Sequence, residues 1–104
     1  MSQIFEYVVE VRRMLTTMEA EIGLDRLSDK ERDVLYAISR LSVGGLPVRS
    51  EAIRVHPLVA GMTHPTYHRA LRALVEKGCI SHAPNTKAGS YIIDDSRLSS
   101  LDQG

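Results

Sequence analysis

A chain of 104 residues, 43% of them hydrophobic, has material for one compact core and not for two ordinary domains. Its single cysteine excludes an intramolecular disulfide framework, and no basic-plus-apolar leader or long uncharged apolar run appears, so a reduced, cytoplasmic protein is expected. The formal net charge of +0 hides a segregation: from Val34 to Ile93 the seven basic residues Arg40, Arg49, Arg54, Arg69, Arg72, Lys77 and Lys87 stand against only Glu51 and Glu76. All four histidines, His56, His64, His68 and His82, lie in the same positive stretch, and the flanks carry the compensating acid.

At the N-terminus Ile4, Val8, Val11, Leu15, Met18 and Ile22 recur at alternating spacings of four and three, a 3.5-residue hydrophobic repeat sustained for about three heptads. The repeat predicts a helix over residues 3–22 with a seam for another helix, and a homodimer formed through that seam is the expected use. Phe5, Tyr7 and Met14 widen the stripe, so folding back onto the core of the same chain is the other arrangement this pattern allows. Residues 1–26 are taken as this helical element, 27–93 as a compact domain and 94–104 as an acidic tail.

Gly23 to Leu27 reads as a connector. Ser28 followed by Glu31 is a capping-box pattern and starts a second helix, in which Val34, Leu35, Ile38 and Leu41 share a face before Val43-Gly44-Gly45 stops it. Leu46-Pro47-Val48 predicts a short edge strand, since proline is tolerated at edges. Ser50 is the expected cap of a third, short helix running to Pro57, and Pro57 to Met62 forms an apolar, packed link.

Residues 62–80 carry the most information. Thr63 is a good N-cap, Pro65 falls in the first turn where a missing N–H costs little, and Gly78 supplies the left-handed residue that ends a helix. At 100° per residue Tyr67, Leu71 and Leu74 fall on one side with Ala70 and Val75 at its edges, while Thr66, His68, Arg69 and Arg72 point away. The outward side offers only donors and positive charge. Guanidinium groups pair bidentately with phosphate or guanine, so this face suits phosphates and base edges. Cys79 to His82 and Ser90 to Ile93 flank a turn-rich stretch and predict a hairpin.

Helix, short strand, helix, helix, hairpin is the order of a winged helix-turn-helix, a mainly α fold with a small β-hairpin (α+β). The stretch from Leu27 to Ile93 resembles the DNA-binding core of MarR-like bacterial transcription regulators. The resemblance rests on Thr63-His64-Pro65-Thr66-Tyr67-His68-Arg69-Ala70-Leu71 running into Leu74-Val75-Glu76-Lys77-Gly78-Cys79-Ile80, which is similar to that family's recognition helix and its exit into the wing. It implies double-stranded DNA as partner, with Thr63, His64, Thr66, His68, Arg69 and Arg72 lining the major groove or its phosphates. It also implies that Lys87 and Asn85 reach out from the hairpin as a wing, and Arg49 and Arg54 join the expected DNA-binding set. Two features depart from the family: the link between the two middle helices is longer than the usual tight turn, and the hairpin lacks an acidic-then-arginine pattern.

Other readings of the same residues are a winged-helix module that binds protein, and an accessory DNA-binding factor in replication or partition. His64 and His68 have the four-residue spacing of a shared metal ligand pair, but no third ligand accompanies them, and Cys79 reads as a small apolar filler; no metal or cofactor is expected. No Ser/His/Asp order, glycine-rich phosphate loop or paired carboxylates within an apolar segment occurs, so the protein is not expected to be an enzyme. The resemblance allows a small-molecule effector pocket between the N-terminal helix and the core, and the sequence nominates no ligand for it.

Overall fold

The computed structural model of the chain describes residues 2–84 and 89–94. Helix α1 spans Gln3–Glu21, a single 3-10 turn follows at Leu24–Arg26, and α2 spans Asp29–Leu41. Strand β1 (Val48–Arg49) leads directly into α3 (Ser50–Arg54), and then come α4 (His64–Glu76), β2 (Ile80–His82) and β3 (Ser90–Ile93). Among the described residues the fold is thus mainly helical α+β, with four α-helices and one antiparallel three-stranded sheet in the order β1-β3-β2. No helix among them is long and apolar enough to cross a membrane.

Local chemistry fixes the element ends. The Ser28 hydroxyl accepts from the Glu31 backbone N–H at 3.2 Å and the Glu31 carboxylate accepts from the Ser28 N–H at 3.2 Å, closing a reciprocal box that satisfies two otherwise orphaned donors at the start of α2. Helix α4 ends on Gly78 at φ 79°, with the Gly78 N–H donating to Val75 O at 3.0 Å and the Cys79 N–H to Leu74 O at 2.9 Å. That pair of bonds is a Schellman motif, and the left-handed φ it demands is one that a Cβ resists.

The core lies between α2 and α4 and closes against the sheet. Val34, Leu35, Ala37 and Ile38 of α2 meet Tyr67, Ala70, Leu71 and Leu74 of α4, with Val48, Ile53, Val59, Ile80 and Tyr91 completing the cluster. Tyr91 of the central strand pairs in register with Val48 on one side and His82 on the other.

Several expectations change in detail. The connector after α1 contains a 3-10 turn and is packed: Leu24 and Leu27 are buried, and the Arg32 guanidinium donates to both of their carbonyls, at 3.1 and 2.7 Å. The edge strand begins at Val48, leaving Leu46 and Pro47 exposed. Ser50 is not the cap of α3; Arg49 occupies that position without a side-chain cap bond, because the Ser50 hydroxyl is paired with Tyr67 instead. The link after α3 is packed as expected, with Val59 and Met62 buried. The expected tail lies outside the described residues beyond Asp94.

Helix α1 does not fold back onto the core. None of its residues is buried, and Ile4, Val8, Val11, Leu15 and Met18 of the seam are between 43% and 73% exposed; of the six seam residues only Ile22, just past the helix, packs against the core. The helix is held at its last turn, where the Tyr36 hydroxyl donates to the Glu19 carboxylate and the Arg32 guanidinium stands 3.9 Å from the same group. Burial and the adjoining Glu19 carboxylate push the Tyr36 hydroxyl up to about 12, so it stays a donor at any physiological pH. The molecule accordingly measures 52 × 35 × 24 Å.

Candidate functional site

Helix α4 is positioned from three directions. At its start the Thr63 hydroxyl accepts from the Thr66 N–H at 3.3 Å and donates to the Thr66 hydroxyl at 2.9 Å, and Pro65 sits in the first turn, where no donor is lost. On its inner face the Tyr67 ring is buried, and its hydroxyl pairs with the Ser50 hydroxyl at 2.8 Å and reaches the Ser50 carbonyl at 3.3 Å. At its end the Lys77 ammonium donates to the Glu31 carboxylate at 2.6 Å and to the Arg26 carbonyl at 3.3 Å, tying α4 to the start of α2. Burial alone would raise the Glu31 pKa, but the hydrogen bonds from Lys77 and Ser28 and the Lys77 charge outweigh it and hold the carboxyl below its ordinary value.

The opposite face of α4 is bare. Thr63, His64, His68, Arg69 and Arg72 are exposed and Thr66 is half-buried. Among the described residues neither Arg69 nor Arg72 forms an ion pair, and Arg69 has only the Thr66 hydroxyl at 3.5 Å. The first turn carries no acidic residue, so the partial positive charge of the helix N-terminus adds to the same surface. The His64 and His68 rings meet edge to face at 4.1 Å between centroids. Partial burial, the neighbouring His64 and the charges of Arg54 and Arg72 lower the His68 pKa, so in the free protein His68 resists protonation. Among the described residues no three His, Cys, Asp or Glu side chains gather to hold a metal ion.

A groove of about 440 Å³ runs between α4 and the β2–β3 pair, and its lining includes His68, Arg72, Glu76, His82 and Tyr91. It brings His82 of β2 alongside two residues of the α4 face, with its ring packed on Tyr91 at 5.0 Å. Nothing in the spacing of the sequence singles out His82; only the pairing of β2 with β3 puts it there.

The remaining residues expected at the site divide. Arg49 is exposed at the end of β1, with its guanidinium 3.7 Å from the Glu51 carboxylate. Arg54, grouped by sequence with the outward cations, is engaged inward. Its guanidinium donates to Val59 O at 3.2 Å and Met62 O at 2.6 Å and lies 5.4 Å over the Tyr67 ring, bracketing the link that leads into α4. Asn85 and Lys87 lie outside the described residues. Cys79 is half-buried against the core directly after the helix stop, the position of a packing residue.

Searches for a matching family model, a matching curated protein and a matching solved structure found none.

Proposed function

We propose that the chain is a winged helix-turn-helix protein that binds double-stranded DNA and acts in the cytoplasm as a homodimeric transcription regulator of the MarR-like kind. In this reading α4 is the recognition helix, the β2–β3 pair is the base of the wing, and α1 supplies the contact between two copies. A single α-helix fills the major groove of B-DNA, and the outward residues of α4 are those that reach its base edges and phosphates. Arg69 and Arg72 make the principal contacts. Thr63 and His64, at the open N-terminus of the helix, approach a phosphate, and His68 and His82 flank the strand that passes along the groove beside the sheet.

The observation that carries the proposal is the asymmetry of α4. Its inner face is locked by Tyr67, Arg54 and Lys77, while two arginines on its outer face are left without any carboxylate partner among the described residues. Both guanidinium groups stand on the solvent side of one rigid helix whose first turn carries no acidic residue, and this grouping of positive charge supports an external anion.

The test is a titration of labelled duplex with the wild-type chain and with Arg69→Ala/Arg72→Ala at several salt concentrations. Removing two guanidinium groups from phosphate or guanine weakens binding by roughly a hundredfold, and flattens the plot of log affinity against log salt by about one unit for each phosphate that is no longer neutralised. The melting temperature stays the same, because both side chains are exposed. An unchanged affinity and slope would remove α4 as the DNA-binding element.

A further inference from the structure

Helix α1 leaves nine large apolar side chains in water, from Ile4 to Met18, while every other helix buries its apolar face. All but Val9 lie on the seam or its edges, and at on the order of 100 Å² each these eight reach the roughly 800 Å² per partner that a stable interface covers. We infer that this face is covered by α1 of a second copy lying antiparallel, with the first turn of each helix seated in the groove where the partner's α1 meets its own domain. The inference deepens the proposed dimer by fixing which way the two helices run.

Four observations point the same way. The seam spacings read identically in both directions, so an antiparallel pair centred on Arg13 brings Ile4 level with Ile22, Val8 with Met18 and Val11 with Leu15 of the second copy, leaving no seam residue unmatched. The seam composition does not suit a parallel pair. That arrangement favours β-branched residues at a and leucine at d, whereas here none of the d residues Ile4, Val11 and Met18 is leucine and the one leucine of the seam, Leu15, stands at a. Charge agrees: the last turn of α1 carries no basic residue and ends on Glu19 and Glu21. A parallel pair sets two such ends side by side with the negative ends of both helix dipoles, and an antiparallel pair sets each beside the other's positive end.

The fourth observation is a cavity. Between the last turns of α1 and the start of the domain lies a groove of about 390 Å³ whose lining is Leu15, Met18, Ile22, Leu24 and Tyr36 together with Glu19 and Glu21. Phe5 sits off the seam, 53% exposed, on the same edge of the helix as Glu19. In the antiparallel pair Phe5 of one copy falls beside Glu19 of the other, at the mouth of this groove. A parallel pair leaves Phe5 in water and the groove empty. The arrangement also separates the two domains by about the 28 Å length of a 19-residue helix, close to the roughly 34 Å between half-sites one turn apart on DNA.

The experiment uses the whole chain carrying Cys79→Ser, with a spin label introduced through Glu6→Cys, Arg13→Cys or Ala20→Cys, one per variant, and no DNA present. These three positions share one outward line on α1. Antiparallel pairing predicts the shortest label-to-label distance at 13 and longer, equal distances at 6 and 20, each stretched by an axial offset of about 21 Å. Three equal distances, or no dipolar coupling in a monomeric sample, would overturn the inference. Phe5→Ala, at an exposed position that leaves the fold alone, raises the dimer dissociation constant at least tenfold; an unchanged constant would equally overturn it. Because both readouts are taken without DNA, their failure is separable from failure of the arginine double variant to lose DNA affinity.

Discussion

Helices α1 and α4 carry the same kind of signal and meet opposite fates. Both are amphipathic; α4 buries Tyr67, Ala70, Leu71 and Leu74 and shows its cations to solvent, whereas α1 buries nothing and shows its apolar stripe. The difference lies in connection. α4 is held at one end by the link bracketed by Arg54 and at the other by Lys77 on Glu31, which leaves it no choice but to lie across α2. α1 leaves the domain at Gly23, and its side-chain bonds to the domain are made by Glu19 in its last turn. An apolar face states that something must cover it; only the tethers on either side decide whether that cover comes from the same chain.

The largest effect that tests this contrast is a pair of truncations. Leu74→Ala, fully buried between α4 and α2, costs about 2 to 5 kcal/mol through the transfer free energy of the deleted atoms and the cavity left behind. Met18→Ala, 59% exposed on α1, changes the stability of the dilute monomer by less than about 0.5 kcal/mol. Denaturant melts of both variants at low protein concentration make the comparison. A cost above about 1 kcal/mol for Met18→Ala in the monomer would mean that α1 is part of the folded core after all.

A smaller effect separates the tethers of α4 from its outward face. Arg54→Met strips donors from the Val59 and Met62 carbonyls and removes the cation above Tyr67, destabilising the domain by about 1 to 3 kcal/mol. DNA affinity, measured well below the melting temperature, falls without a change in salt slope, because the bracket acts on the position of α4. A variant of ordinary stability whose slope drops by about one unit would instead place Arg54 on a phosphate.

These two tests mark what the sequence can and cannot say. The limits and polarity of α4 are legible because Thr63, Pro65 and Gly78 act on their own backbone neighbours, and the capping box at Ser28 and Glu31 is legible for the same reason. Tertiary partners are not. Ser50 reads as a cap because serine usually is one, yet the buried Tyr67 hydroxyl, 17 residues away, claims it. Arg54 looks like its outward neighbours in composition; that it turns inward follows from carbonyls in the link, which carry no side-chain signature. His82 joins the groove only because an antiparallel register places it beside Tyr91. The seam of α1 is visible as a repeat, but a period carries no information about which body satisfies it.

The smallest effect concerns His68, and its sign differs between folding and binding. In the free protein partial burial, His64, Arg54 and Arg72 hold its pKa below the ordinary 6.5, so the unfolded chain takes up this proton first, and the residue makes the fold slightly less stable as pH falls through 6.5. Phosphates beside the α4 face favour the charged imidazole and raise the pKa in a complex, so binding takes up a proton. DNA affinity therefore climbs as pH falls from above the value in the complex toward the depressed value of the free protein, by roughly threefold to fivefold between pH 7.5 and 5.5, and is flat at higher pH. Affinities of the wild-type chain and of His68→Gln across that range, at fixed ionic strength, decide it. A variant that keeps the full pH dependence would take His68 off the polyanion.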